Sequence, residues 1–142
     1  MTDAVRLLAL AVGAMVVIYA GLGYEATYAI TYGAFALMAA MVSLTFMWLW
    51  RVRATPLAGG MAFSWAGASS VIGWWWAYSY LNHPALMFEN AAFFVCLAIY
   101  FVGALMHFAV IGRSLGVRRP LWTAPVAGAL AISTFLYLLK IW

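Results

Sequence analysis

Charge is what this sequence has least of. Only three residues are acidic, Asp3, Glu25 and Glu89, and charged residues of both signs make up 7% of its 142 positions. A typical soluble domain carries about 25%. A soluble fold of this length hides only about two-thirds of its chain surface, too little for a sequence that is 69% hydrophobic. Lipid removes the difficulty, because the outward faces of its helices can stay apolar. Cysteine is nearly absent as well. Cys96 stands alone inside an apolar run, which excludes an internal disulfide and any Cys-x-x-Cys metal or redox centre. Its plain reading is a small packing or lipid-facing residue.

The usual signatures of soluble enzymes are also missing. There is no His-Glu-x-x-His, no phosphate loop and no Gly-x-Gly-x-x-Gly. No carboxylate lies deep in an apolar run, as proton-coupled pumps require. No run is broken at its centre by Gly or Pro, as many transporter sites are. Nothing in the sequence specifies a cofactor or a metal. The net charge of +4 does not point to nucleic acid, because no basic-aromatic interleaving of the kind that holds single strands accompanies it.

What is present is a set of five apolar runs, over roughly 4–23, 29–50, 59–81, 90–112 and 121–141. Each approaches or exceeds the ~20 residues that span ~30 Å of hydrocarbon. The sequence therefore predicts an all-α, polytopic transmembrane helix bundle of about five spans, forming a single domain over 1–142. Arg6 ahead of Leu7–Ile18 has the form of a signal peptide. The apolar stretch continues to Gly23 with no clear Ala-x-Ala site directly after it, so the run reads as a retained helix, with four spans as the alternative.

Short connections are expected at Tyr24–Tyr28, Arg51–Leu57, Asn82–Glu89 and Arg113–Pro120, none long enough to form an extramembrane domain. Arg51, Arg53, Arg113, Arg118 and Arg119 fall in or beside the second and fourth, Arg6 near the N-terminus, and no Lys or Arg in the first or third. The positive-inside rule then places the N-terminus in the cytoplasm and the C-terminus outside, in a bacterial inner membrane. The aromatics agree. Trp48, Trp50 and Trp122 fall at the inner interface. Tyr24, Tyr28, Trp74, Trp75, Trp76, Tyr78, Tyr80 and Trp142 fall at the outer one, where rings with a polar tip prefer to sit. Trp65 is the exception.

Small residues recur four apart at Ala62, Ala66 and Ser70, and in the pairs Ser69 and Gly73, Ala29 and Gly33, Ala36 and Ala40, and Ala124 and Gly128. Such faces let helix backbones approach closely in lipid. A separation of 64 between Glu25 and Glu89, Pro56 and Pro120, Leu57 and Leu121, and Ser69 and Ser133 aligns two hairpins in the same orientation. An alphabet this narrow produces such matches by chance, and no duplication is inferred from them.

Two groups carry what polar chemistry there is. His107 is the one ionisable residue well inside a span, which makes it a functional candidate; the alternative is a neutral imidazole hydrogen-bonded to a neighbouring Ser, Thr or carbonyl. Asn82, His83, Glu89, Asn90 and Glu25 form the densest polar group, all expected at the outer surface. A His and two carboxylates can coordinate a transition metal or act as a catalytic pair. The plainer reading is that loops must place polar residues somewhere, with Glu89 and Asn90 opening helix four, where a carboxylate suits the dipole. His83 and His107 cannot share one haem iron: on a continuous helix they would be roughly 36 Å apart, and they fall on opposite sides of the membrane.

The resulting expectation is a small, non-catalytic membrane subunit or scaffold, surrounded by lipid and assembled with its own copies or with other membrane subunits. A small-solute or ion transporter or channel is the first alternative. An enzyme acting on a lipid or quinone through His83 and Glu89 is the second.

Overall fold

A computed structural model of the protein describes residues 2–141; Trp142, placed above at the outer interface, lies outside them. Among the described residues the regular elements are all helical. They are α1 (Thr2–Arg53), α2 (Pro56–Tyr80), a 3-10 turn (Ala85–Met87), α3 (Ala92–Ser114), the single turn α4 (Arg119–Trp122) and α5 (Ala124–Ile141). α1 and α3 are long and apolar enough to cross a membrane. The core helix of a soluble protein passes that test by being buried, but 0% of the apolar window of α1 and 6% of that of α3 are buried. Leu7, Leu10 and Val17 of α1 are each about 70% exposed, a surface far larger than water tolerates on a monomer.

The first connection differs from expectation. Residues 24–28 are helical, and the only departure inside α1 is Gly23, at φ 78° and ψ 179°. A side chain in that conformation is strained, so glycine sets where the helix divides into two limbs, 2–22 and 24–53. The polar residues after it stay helical because their hydroxyls bond back along the chain: Thr27 Oγ1 donates to Gly23 O and Thr31 Oγ1 to Thr27 O, each at 2.7 Å. The second connection is only Ala54 and Thr55, and Pro56 opens α2, where its missing N–H does no harm. The third runs from 81 to 91, where Asn90 Oδ1 accepts from the Ala92 N–H at 2.9 Å and so helps to start α3.

The second limb of α1 packs antiparallel on α2 through a repeated hydrogen bond. Ser43 Oγ donates to Ala62 O, Ser69 Oγ to Ala36 O, and Trp76 Nε1 to Ala29 O, each at 2.8 Å. The α1 positions step by seven, 29, 36 and 43, and the α2 positions step by seven in the opposite direction, 76, 69 and 62. This is the seam period of antiparallel helices. Ala36, Ala39, Ala62 and Ser43 are buried along it. Of the four-residue series read from sequence, Ala62 faces this seam, while Ser70 Oγ bonds to Ala66 O of its own helix.

The other face of α2 meets α3 with backbones nearly touching. A Cβ on Gly67 would strike the Tyr100 backbone, one on Gly103 the backbone of Phe63 and Ser64, and one on Gly60 the His107 N at 2.9 Å. Gly60 and Gly67 again stand seven apart. α2 is thus the central plank between α1 and α3.

A five-helix bundle was expected, and the packed unit is these three helices. Residues 3–22 are exposed apart from a half-covered Ile18, and residues 129–140 of α5 are exposed throughout. Trp122 of α4 covers Gly112 at the end of α3, but little of α5 follows it onto the core.

Candidate functional site

The antiparallel packing gives the three-helix unit two chemically different ends. Trp50 lies against Gly59 and Trp122 against Gly112, which gathers Arg51, Arg53, Arg113 and Arg118 at one end with the second and fourth connections. Tyr24 and Glu25 lie beside Asn82 and His83 at the other. Among the described residues the one ion pair joins Arg6 and Asp3 at 3.8 Å and is largely exposed; such pairs contribute little. Glu25 and Glu89 have no cationic partner there.

The five-residue polar group is divided by the fold. Glu25, Asn82 and His83 line one recess of about 470 Å³, together with Tyr24, Tyr28, Trp76, Ser79 and Tyr80. Glu89 and Asn90 lie in a separate recess walled by Trp74, Trp75, Phe88, Phe93 and Phe94, and Asn90 Nδ2 donates to Leu86 O at 2.7 Å. Among the described residues no three His, Cys, Asp or Glu side chains come together as a metal site would need. The reason is local. Asn82 and His83 adopt φ of 57° and 62° directly after α2, turning back toward α1, while His83 sits edge-on to Tyr78 at 4.8 Å. Glu89, at φ 54°, stays in the connection. α3 begins only at Ala92 with no acidic residue in its first turn, so Glu89 does not open the helix as expected, and Asn90 alone caps it through the Ala92 N–H.

His107 borders a cleft of about 420 Å³ between α2 and α3, with Ser64, Trp65, Tyr100, Ala104 and Phe108. Its Nδ1 is buried with no hydrogen-bond partner among the described residues, and its ring meets Phe108 edge-on at 6.0 Å. Among the described residues, the Ser, Thr or carbonyl partner expected for a packing histidine is not there. A buried polar atom left unpaired costs roughly 1–3 kcal/mol. His107→Leu is therefore expected to leave the thermal midpoint in detergent unchanged or to raise it, and His107→Gln to do no better. A drop of more than about 1 kcal/mol on Leu would show that the imidazole has a partner.

One motif escaped the sequence reading. Gly112–Gly116 spells Gly-x-Ser-x-Gly around Ser114. The catalytic form of that motif needs a strand-to-helix turn. Here Ser114 is the last residue of α3, and its hydroxyl donates to Ile111 O at 2.7 Å, so the match carries no nucleophile. No family model, no curated protein and no solved structure matches this chain.

Proposed function

We propose that the chain crosses a bacterial cytoplasmic membrane five times, with its arginine-rich end inside, and works by contact as a small non-catalytic subunit or scaffold. The first limb and α5 are then separate spans, joined to the packed unit by Gly23 and by α4. The observation that carries this reading is a contrast among glycines. Those of the packed unit meet a neighbour at once, whereas a Cβ on Gly13, Gly21 or Gly128 would meet nothing within 4 Å. Glycine inside a helix costs about 1 kcal/mol relative to alanine. On a face its own chain leaves open, it suits the close approach of a partner helix.

The hydroxyls weigh against conduction. Thr31, Thr45 and Ser70 donate to carbonyls of their own helices, and Ser43 and Ser69 to the facing helix. They act as helix glue rather than as the lining of a polar path through the membrane. An enzyme acting through His83 and Glu89 is disfavoured by their separate recesses.

Cross-linking tests the reading. In a Cys96→Ser background, Gly13→Cys or Gly128→Cys is expected to give oxidant-induced adducts, to a second copy or to another membrane chain, in a yield that does not fall as the protein is diluted with lipid. Yields that fall with dilution would mean random collision and no partner on these faces.

A further inference from the structure

We propose that the recess beside Glu25 binds an organic ammonium cation, with preference for a quaternary one of the choline class. This rests on the walls of that recess and is independent of assembly. Two aromatic pairs, each spaced four residues apart on antiparallel helices, line it: Tyr24 and Tyr28 on α1, Trp76 and Tyr80 on α2. Their ring centroids are 6.2 and 5.7 Å apart within each pair. Two of the four rings are held in place. The Trp76 indole is fixed by its bond to Ala29 O, and Tyr28 is stacked on Tyr32 at 4.2 Å. Glu25 supplies a carboxylate with no ion-pair partner among the described residues, and no Lys or Arg lines the space.

Ring faces carry negative quadrupole potential and attract a diffuse cation, and aromatic cages of this composition recognise quaternary ammonium groups. The same faces and carboxylate repel an anion. Besides Glu25 and the four rings, the polar residues of the lining are Ser79, Asn82 and His83. A single carboxylate with these falls short of the oxygen set a hard metal ion takes, and no three His, Cys, Asp or Glu come together among the described residues. The volume of about 470 Å³ lies within the ~300–1,000 Å³ of ordinary ligand pockets. The recess opens at the end of the helices away from the arginines, where lipid head groups sit. The occupant is therefore either a choline head group of a lipid or a free methylated amine.

Choline chloride and tetramethylammonium chloride, titrated calorimetrically into the full chain in non-ionic detergent, test this. Saturable binding is expected, with the neutral choline isostere 3,3-dimethylbutan-1-ol at least about ten-fold weaker. Glu25→Gln and Tyr80→Leu are each expected to weaken choline by about five-fold, and Tyr80→Phe to retain it, because the ring face is what binds. Tyr24→Leu gives the same reading if Tyr80→Leu fails to fold, as judged by thermal unfolding. In nanodiscs of phosphatidylglycerol, added phosphatidylcholine that competes with tetramethylammonium assigns the site to a lipid head group; absence of competition assigns it to a free solute. Either result upholds the ammonium site. Absence of saturable binding, equal binding of the neutral isostere, or full affinity in both Glu25→Gln and Tyr80→Leu would overturn it.

Discussion

Gly103→Ala is expected to destabilise the protein by about 1–3 kcal/mol, and Gly103→Leu to prevent α2 and α3 from pairing. The new methyl group meets the backbone of Phe63 and Ser64, not the tip of a side chain that can swing away. The two helices must therefore move apart, and the contacts that depend on their approach weaken together. Gly67→Ala, against the Tyr100 backbone, acts in the same way from the facing helix. Gly13→Ala is the matched control. Its Cβ meets nothing of its own chain within 4 Å, so within the monomer only the helix propensity changes, by up to about 1 kcal/mol in favour of alanine. Unfolding by sodium dodecyl sulfate in mixed micelles, followed by circular dichroism, reads all four variants. Equal stability of Gly103→Ala and Gly13→Ala would mean that α2 and α3 do not approach as described.

Topology reporters are expected to give all-or-none answers. An enzyme active only in the periplasm should be inactive when fused after Arg53 and active when fused after His83 or after Trp142. The structure gathers the second and fourth connections at one end of the three-helix unit and the recess with Glu25 and His83 at the other, and basic residues mark the cytoplasmic side. Two variations are informative. α5 has 18 residues, about 27 Å of helix at 1.5 Å per residue. An inactive reporter after Trp142 would show that α5 lies along the surface. Labelling of an N-terminal tag from outside the cell would show that limb 2–22 does not cross. Activity after Arg53 with none after His83 would reverse the orientation.

The positions of the helices were legible in the sequence because apolar runs of this length leave few alternatives. Their division was harder to see. Glu25 and Thr27 look like loop residues, yet the backbone carries them in helix because Thr27 and Thr31 satisfy their hydroxyls on carbonyls one turn back. Only Gly23 interrupts it. The small-residue pairs Ala29 with Gly33 and Ser69 with Gly73 do lie on the α1–α2 seam, against Trp76 and Ala36, but the repeat that links them is harder to see. Four-residue spacing of small residues is abundant in any Ala- and Gly-rich sequence, but antiparallel helices in this register repeat their contacts every seven residues, and the bonds at Ala29, Ala36 and Ser43 show it. Which loop residues meet depends on how the helices lie side by side, a non-local property. That is why Glu25 joins Asn82 and His83 while Glu89, close to them in sequence, does not. Along the chain the aromatic walls of that recess look like an interfacial belt, since single positions do not reveal that two pairs face one cavity.

Native mass spectrometry of the protein released from mild detergent, run beside ion and small-solute flux into proteoliposomes, tests most directly whether it works by contact. A complex containing more than one chain, with flux no greater than in empty vesicles, is predicted. A strictly monomeric protein that moves ions or a small solute faster than empty vesicles would contradict it.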